Sequence, residues 1–137
     1  MILTTKARYA VMAMIEIADN YRKQESPTAL SEISKSQNIS LSYLEQIFSL
    51  LKKAQIVKSI KGPGGGYVLS KHYGEITIAQ IIKAIGEPIK MTNCGSGTKS
   101  CISTTNNTKC KTHHLWQGLE KNIFNYLNSI SLEDICR

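Results

Sequence analysis

The chain has 137 residues, with 17 Lys plus Arg against 10 Asp plus Glu, giving a formal net charge of +7. That length suits one compact domain with an appended element and excludes two full domains. With 42% hydrophobic residues it can bury a core, which argues against wholesale disorder; the basic balance favours a polyanionic partner such as nucleic acid, or an anionic membrane surface, over an acidic protein.

Lys6 and Arg8 precede an apolar run, Tyr9 to Ile15, that imitates a secretory leader. Glu16 and Asp19 interrupt it and no small-residue cleavage pattern follows. A helix from Thr4 or Thr5 to about Asn20 is the better reading, with Ala7, Ala10, Val11, Met14, Ile17 and Ala18 on one face. No stretch approaches the roughly 18 apolar residues a bilayer span requires. The expectation is a soluble, cytoplasmic chain with no membrane partner.

A polar break at Lys23 to Pro27 leads to a short second helix, Ala29 to Gln37, burying Leu30 and Ile33. Asn38 and Ile39 form a tight connection to a third helix near Leu41, capped by Ser40 or Ser42. Ser42 and Glu45 have the spacing of a capping box. Leu41, Leu44, Ile47, Phe48 and Leu51 make an apolar stripe, leaving Ser42, Tyr43, Glu45, Gln46, Ser49, Lys52 and Lys53 outside.

The period then changes. Ile56 to Ile60 and Tyr67 to Leu69 are β-prone runs around Lys61-Gly62-Pro63-Gly64-Gly65-Gly66, which reads as a hairpin. No Lys-Ser/Thr follows the glycines and no helix begins there, so a nucleotide-cradling loop is not expected. A fourth helix, Thr77 to Ile85, stops at Gly86 and Pro88. Met91 to Lys111 is polar and holds Cys94, Cys101 and Cys110, too little apolar surface to order itself. Trp116, Leu119, Ile123, Tyr126 and Ile130 then recur as a helix seam, with Phe124 and Leu127 on a neighbouring face. Ser131 can cap a last turn through Leu132 and Ile135.

Three helices followed by a hairpin is the order of a winged helix-turn-helix: a mainly α fold with a small β-hairpin and a long C-terminal helix. The third helix offers small hydrogen-bonding side chains to a major groove, where N-terminal residues of such a helix meet base edges. Ser40, Ser42, Tyr43, Glu45 and Gln46 are the candidates there, with Glu45 either accepting from a cytosine amino group or excluding unsuitable sites by repulsion from phosphate. No acidic residue lies between Glu45 and Glu75, while Lys52, Lys53, Lys58, Lys61 and Lys71 do. The positive field therefore falls on the third helix and the hairpin, with Gly64 at a tip that can approach a DNA backbone closely.

Cys94, Cys101 and Cys110 with His113 make a soft-donor set suited to zinc or an iron–sulfur cluster. Gaps of six and eight residues do not fit the paired C-x-x-C of a zinc ribbon and suit wrapping around a larger cofactor. His114 competes with His113 for the fourth position. Cys136 reads as a spare thiol at a fraying terminus, and His72 as a surface residue. No acid stands ready to orient Cys110 and His113 as nucleophile and base, so an enzyme is not expected.

The segments LTTKARYAVMAM (Leu3 to Met14), ISLSYLEQIFSLLKK (Ile39 to Lys53) and KGPGGGYVLSK (Lys61 to Lys71), with the cysteine–histidine set, resemble the IscR-like iron–sulfur cluster regulators among the winged-helix repressors. The resemblance implies a homodimeric transcription factor acting on promoter DNA of cluster-assembly genes. It implies one 2Fe–2S cluster per subunit on Cys94, Cys101, Cys110 and His113, supplied by the cluster-assembly machinery. It divides the chain into a DNA-binding domain (1–90), a cluster loop (91–113) and a dimerisation helix with C-terminal tail (114–137). Two departures stand out: Thr104 to Thr108 lengthen the cluster loop, and Lys61 occupies a wing position where arginine is usual. The readings left beside it are a nitric-oxide or redox sensor with another cluster and a zinc-stabilised structural module.

Overall fold

In the computed structural model, which describes residues 4–89 and 111–136, the Thr4 hydroxyl accepts the Ala7 N–H at 3.2 Å and starts α1, Thr5–Gln24. The helix runs a turn past Asn20. Arg22 and Lys23 in its last turn complement the helix dipole, and Glu25 closes it in the left-handed region, donating its N–H to Tyr21 O. Ala7, Ala10, Ala13, Met14, Ile17 and Ala18 are buried, whereas Val11 is only half-buried. Four small alanines on that face let several elements approach, and α1 becomes the strut on which the domain assembles.

The second helix, α2, is Leu30–Gln37. Asn38 turns left-handed (φ 55°), and the Asn38 and Ile39 N–H groups both donate to Ser34 O. The Ser34 hydroxyl in turn donates to Ile39 O at 2.6 Å, and Ile39 is buried. These bonds set the angle at which α3, Leu41–Lys53, leaves. Its cap is Ser40, whose hydroxyl accepts the Tyr43 N–H. Ser42 therefore lies inside the first turn, and the Ser42–Glu45 capping box is not the one that starts the helix. Leu44, Ile47, Phe48 and Leu51 are buried as the periodicity predicts. Leu41 is not: it is 43% exposed, as the first residue of the helix and at the edge of the stripe nearest Glu45.

Strands β1 (Val57–Ile60) and β2 (Gly66–Leu69) pair antiparallel, Val57 opposite Leu69 and Ile60 opposite Gly66. Gly65 N–H donates to Gly62 O across Pro63 and Gly64, and Gly64 has φ +74°, the requirement of the third residue of a type II turn. A third backbone segment joins the hairpin. Thr28 N–H donates to Tyr67 O at 3.0 Å and Tyr67 N–H to Thr28 O at 2.8 Å. The Phe48 and Tyr67 rings, 4.9 Å apart, tie the wing to α3 as well.

After a short 3-10 turn at Tyr73–Glu75, Thr77 caps α4, Ile78–Ala84, through a capping box with Gln80. His72 is on the surface, its Nδ1 accepting the Gly74 N–H. The chain past residue 110 gives α5, His113–Ser129, and α6, Leu132–Cys136. Between them Ile78 N–H donates to Ile130 O and Leu132 N–H to Ile76 O, so the C-terminal segment is stitched to the entrance of α4. Leu132 is fully buried in the core with Ile76 and Ile81.

Ser131 caps α6 as its position predicts, exchanging hydrogen bonds with Asp134. Two expectations change here. Ile130 belongs with Leu127 against the core of its own chain, which splits the expected α5 seam. Cys136 does not fray: its carbonyl accepts from Arg22 and its thiol packs beside Ile15 O.

Candidate nucleic-acid interface

The hydroxyl of Ser40 is committed to capping α3 and lies 3.0 Å from that of Ser42, so the two serines open the helix as a pair. Ser42, Glu45, Gln46, Ser49, Lys52 and Lys53 are all exposed, as expected. Tyr43 differs. It is half-buried, its ring edge-on to Tyr9 of α1 at 5.9 Å, which fixes the ring and leaves one margin for contact. Nothing in the spacing of Tyr43 marks this, because its partner lies 34 positions earlier.

Lys61 and Gly64 are exposed at the hairpin tip. Lys52, Lys58 and Lys71 line a groove of about 540 Å³ at the hairpin base, among Gln55, Val57, Ser59 and Ser70, with no acid. Among the described residues no lysine of the acid-free window joins an ion pair; the pair that forms, Arg22 with Asp19, is on α1. Uncompensated lysines beside a helix of hydrogen-bonding side chains attract phosphate and leave those side chains free to meet base edges.

The tilt of wing against helix is set by the Thr28 bridge and the Phe48–Tyr67 contact, and sequence periodicity carries no sign of either. Pro27-Thr28 reads as a turn, and a single bridging residue is too short to show alternation.

For the second candidate site, Cys94, Cys101 and Cys110 lie outside the described residues. His113 is the first residue of α5, half-buried, with its ring against that of His114 at 5.5 Å. Among the described residues no three metal-ligating side chains gather. No helix of the described residues is long and apolar enough to cross a membrane. Leu115, Leu119 and Tyr126 are exposed along one side of α5, and Phe124 is exposed on another.

A family model described as Rrf2, iron-dependent transcriptional regulator, matches residues 3–137. The chain belongs to the Rrf2 family. It is 45% identical over 135 residues to the HTH-type transcriptional regulator IscR of Xenorhabdus nematophila, covering 98% of this chain and 79% of that one. The IscR of Photorhabdus laumondii is 47% identical over 133 residues, covering 97% and 77%. Among solved Rrf2-like structures, CymR, the global cysteine regulator of B. subtilis, superposes with a TM-score of 0.79 at 33% identity, covering 99% of this chain and 96% of its own. T. potens IscR gives 0.78 at 30%, covering 98% and 85%. This Rrf2 member is thus a DNA-binding transcription regulator and not an enzyme, with the winged-helix fold its element order predicts.

Proposed function

We propose that this regulator reports the occupancy of a 2Fe–2S cluster, one per subunit of a cytoplasmic homodimer, to promoters of cluster-assembly genes. The observation that carries the reading is the position of His113. It opens α5, and the far end of the same helix continues through Ile130 and Leu132 into backbone bonds with Ile76 and Ile78 of the winged domain. A ligand at one end of a 17-residue helix, about 25 Å long, is therefore joined rigidly to the DNA-binding core at the other.

The donor chemistry fits the cluster. Three thiolates and one imidazole are soft ligands of the kind iron–sulfur centres take, and Cys94, Cys101, Cys110 and His113 would hold it. Bound there, the cluster supplies a labile tie between loop and helix. Leu115, Leu119 and Tyr126, exposed along one side of α5, supply apolar surface for a second subunit.

Anaerobic purification, a visible spectrum and iron and sulfide counts test this. Iron and acid-labile sulfide in equal amounts are expected, with loss of colour in His113→Ala and Cys110→Ala and retention of the folded dimer. A colourless chain after reconstitution, or zinc without sulfide, overturns the cluster reading.

A further inference from the structure

An isolated exposed leucine on a protein surface needs no explanation, but Leu41 opens the helix that carries the base-reading side chains. It is the first residue of α3, 43% exposed, one turn before Glu45 and on the same flank. Residues at the N-terminus of a recognition helix penetrate deepest and meet base edges. The major groove there offers one apolar group, the 5-methyl of thymine, on the same pyrimidine edge that presents the cytosine amino group. We infer that Leu41 is a specificity-determining residue that packs on a thymine methyl beside the base step met by Glu45. The inference rests on the assignment of α3 as the DNA-reading helix and adds a contact that hydrogen bonding cannot supply.

Two features support it. The hydroxyl groups of the flanking Ser40 and Ser42 lie 3.0 Å from each other, and Leu41 between them stays exposed. The apolar residues of the later turns, Leu44, Phe48 and Leu51, are wholly buried, so the exposure of Leu41 is not shared by the rest of its stripe. Ile60 provides an internal control. It is 45% exposed but lies at the end of β1, on the wing, where no thymine methyl is presented if the wing follows the backbone or minor groove.

The probe is duplex DNA enriched from a random pool by the wild-type chain. Each thymine is replaced in turn by deoxyuridine, which keeps the base pair and removes only the methyl. Wild type is expected to bind about fourfold more weakly at one position per half-site, the worth of one buried methyl. Leu41→Ala should bind the thymine duplex more weakly and lose the thymine–uracil difference at that position. Ile60→Ala should keep it. Urea unfolding of Leu41→Ala confirms that the variant is folded. A Leu41→Ala chain that retains the wild-type thymine–uracil ratio everywhere overturns the inference while leaving DNA binding intact. A wild-type chain that enriches no duplex overturns the DNA-reading assignment itself.

Discussion

Replacing Gly66 by alanine tests how the wing is held. A Cβ at Gly66 would overlap the Thr28 carbonyl and come within 2.7 Å of the Ala29 nitrogen, and the backbone there has φ +153°. All the crowding atoms are backbone, so no side-chain rotation relieves it. The chain must instead separate Thr28 from Tyr67 and lose their reciprocal hydrogen bonds of 3.0 and 2.8 Å. Two such bonds contribute about 1 kcal/mol each, and the unfavourable φ adds about 1 kcal/mol. The expected loss is about 3 kcal/mol, a large share of the roughly 5–15 kcal/mol that holds a typical domain. Gly64→Ala is the comparison. Its φ is +74° but nothing lies within 4 Å, so only the left-handed penalty of about 1–2 kcal/mol applies. Urea unfolding of both variants, with hydrogen exchange at the Thr28 and Tyr67 amides, measures the difference. Equal stabilities for the two variants, with Thr28 and Tyr67 still protected, would refute the claim that the bridge anchors the wing.

Three further outcomes follow from the same geometry. Leu132→Ala removes a fully buried side chain, so urea unfolding should show a loss of about 2–5 kcal/mol despite its position near the end of the chain. Lys61→Arg restores a planar fork at the wing tip; fluorescence anisotropy should show stronger preference for narrow-groove A/T flanks over G/C flanks. Burial, then the Asp19 carboxylate, raises the Cys136 thiol above its ordinary value of 9.0. Its protonated form is favoured in the fold, so its contribution to stability is present below pH 9.0 and lost as pH rises through the folded value. Peptide mapping after iodoacetamide at pH 8.5 should find Cys136 labelled more slowly in the native chain than in urea.

Much of the regular structure was legible because it rests on local periodicity. The stripes of α1, α3 and α4 name their own buried faces, and Gly64 after Pro63 announces a turn needing positive φ. Reading fails where burial depends on distant chain. Leu41 has the same spacing as Leu44 and Phe48, yet only contact with the core separates an exposed leucine from buried ones. Ser40 and Ser42 are equally good caps on paper; the Asn38 turn decides which one precedes the first helical residue. Ile130 fits a helix seam by spacing, and the bond its carbonyl accepts from Ile78 N–H takes it out of that seam.

For the proposed DNA-facing surface, the sequence alone determined composition and sign: an acid-free window, five lysines in it, and a polar helix face. Local chemistry is enough for that, since charge and hydrogen-bonding capacity belong to residue types. Tertiary structure decided how these parts are aimed. The Thr28 bridge, the Phe48–Tyr67 contact and the Tyr9–Tyr43 pair join residues far apart in the chain, and no periodicity encodes such pairs. The same holds at the C-terminus, where Leu132 is part of the core because backbone bonds, not composition, bring it there. Pattern is set by neighbours along the chain, and placement by neighbours in space.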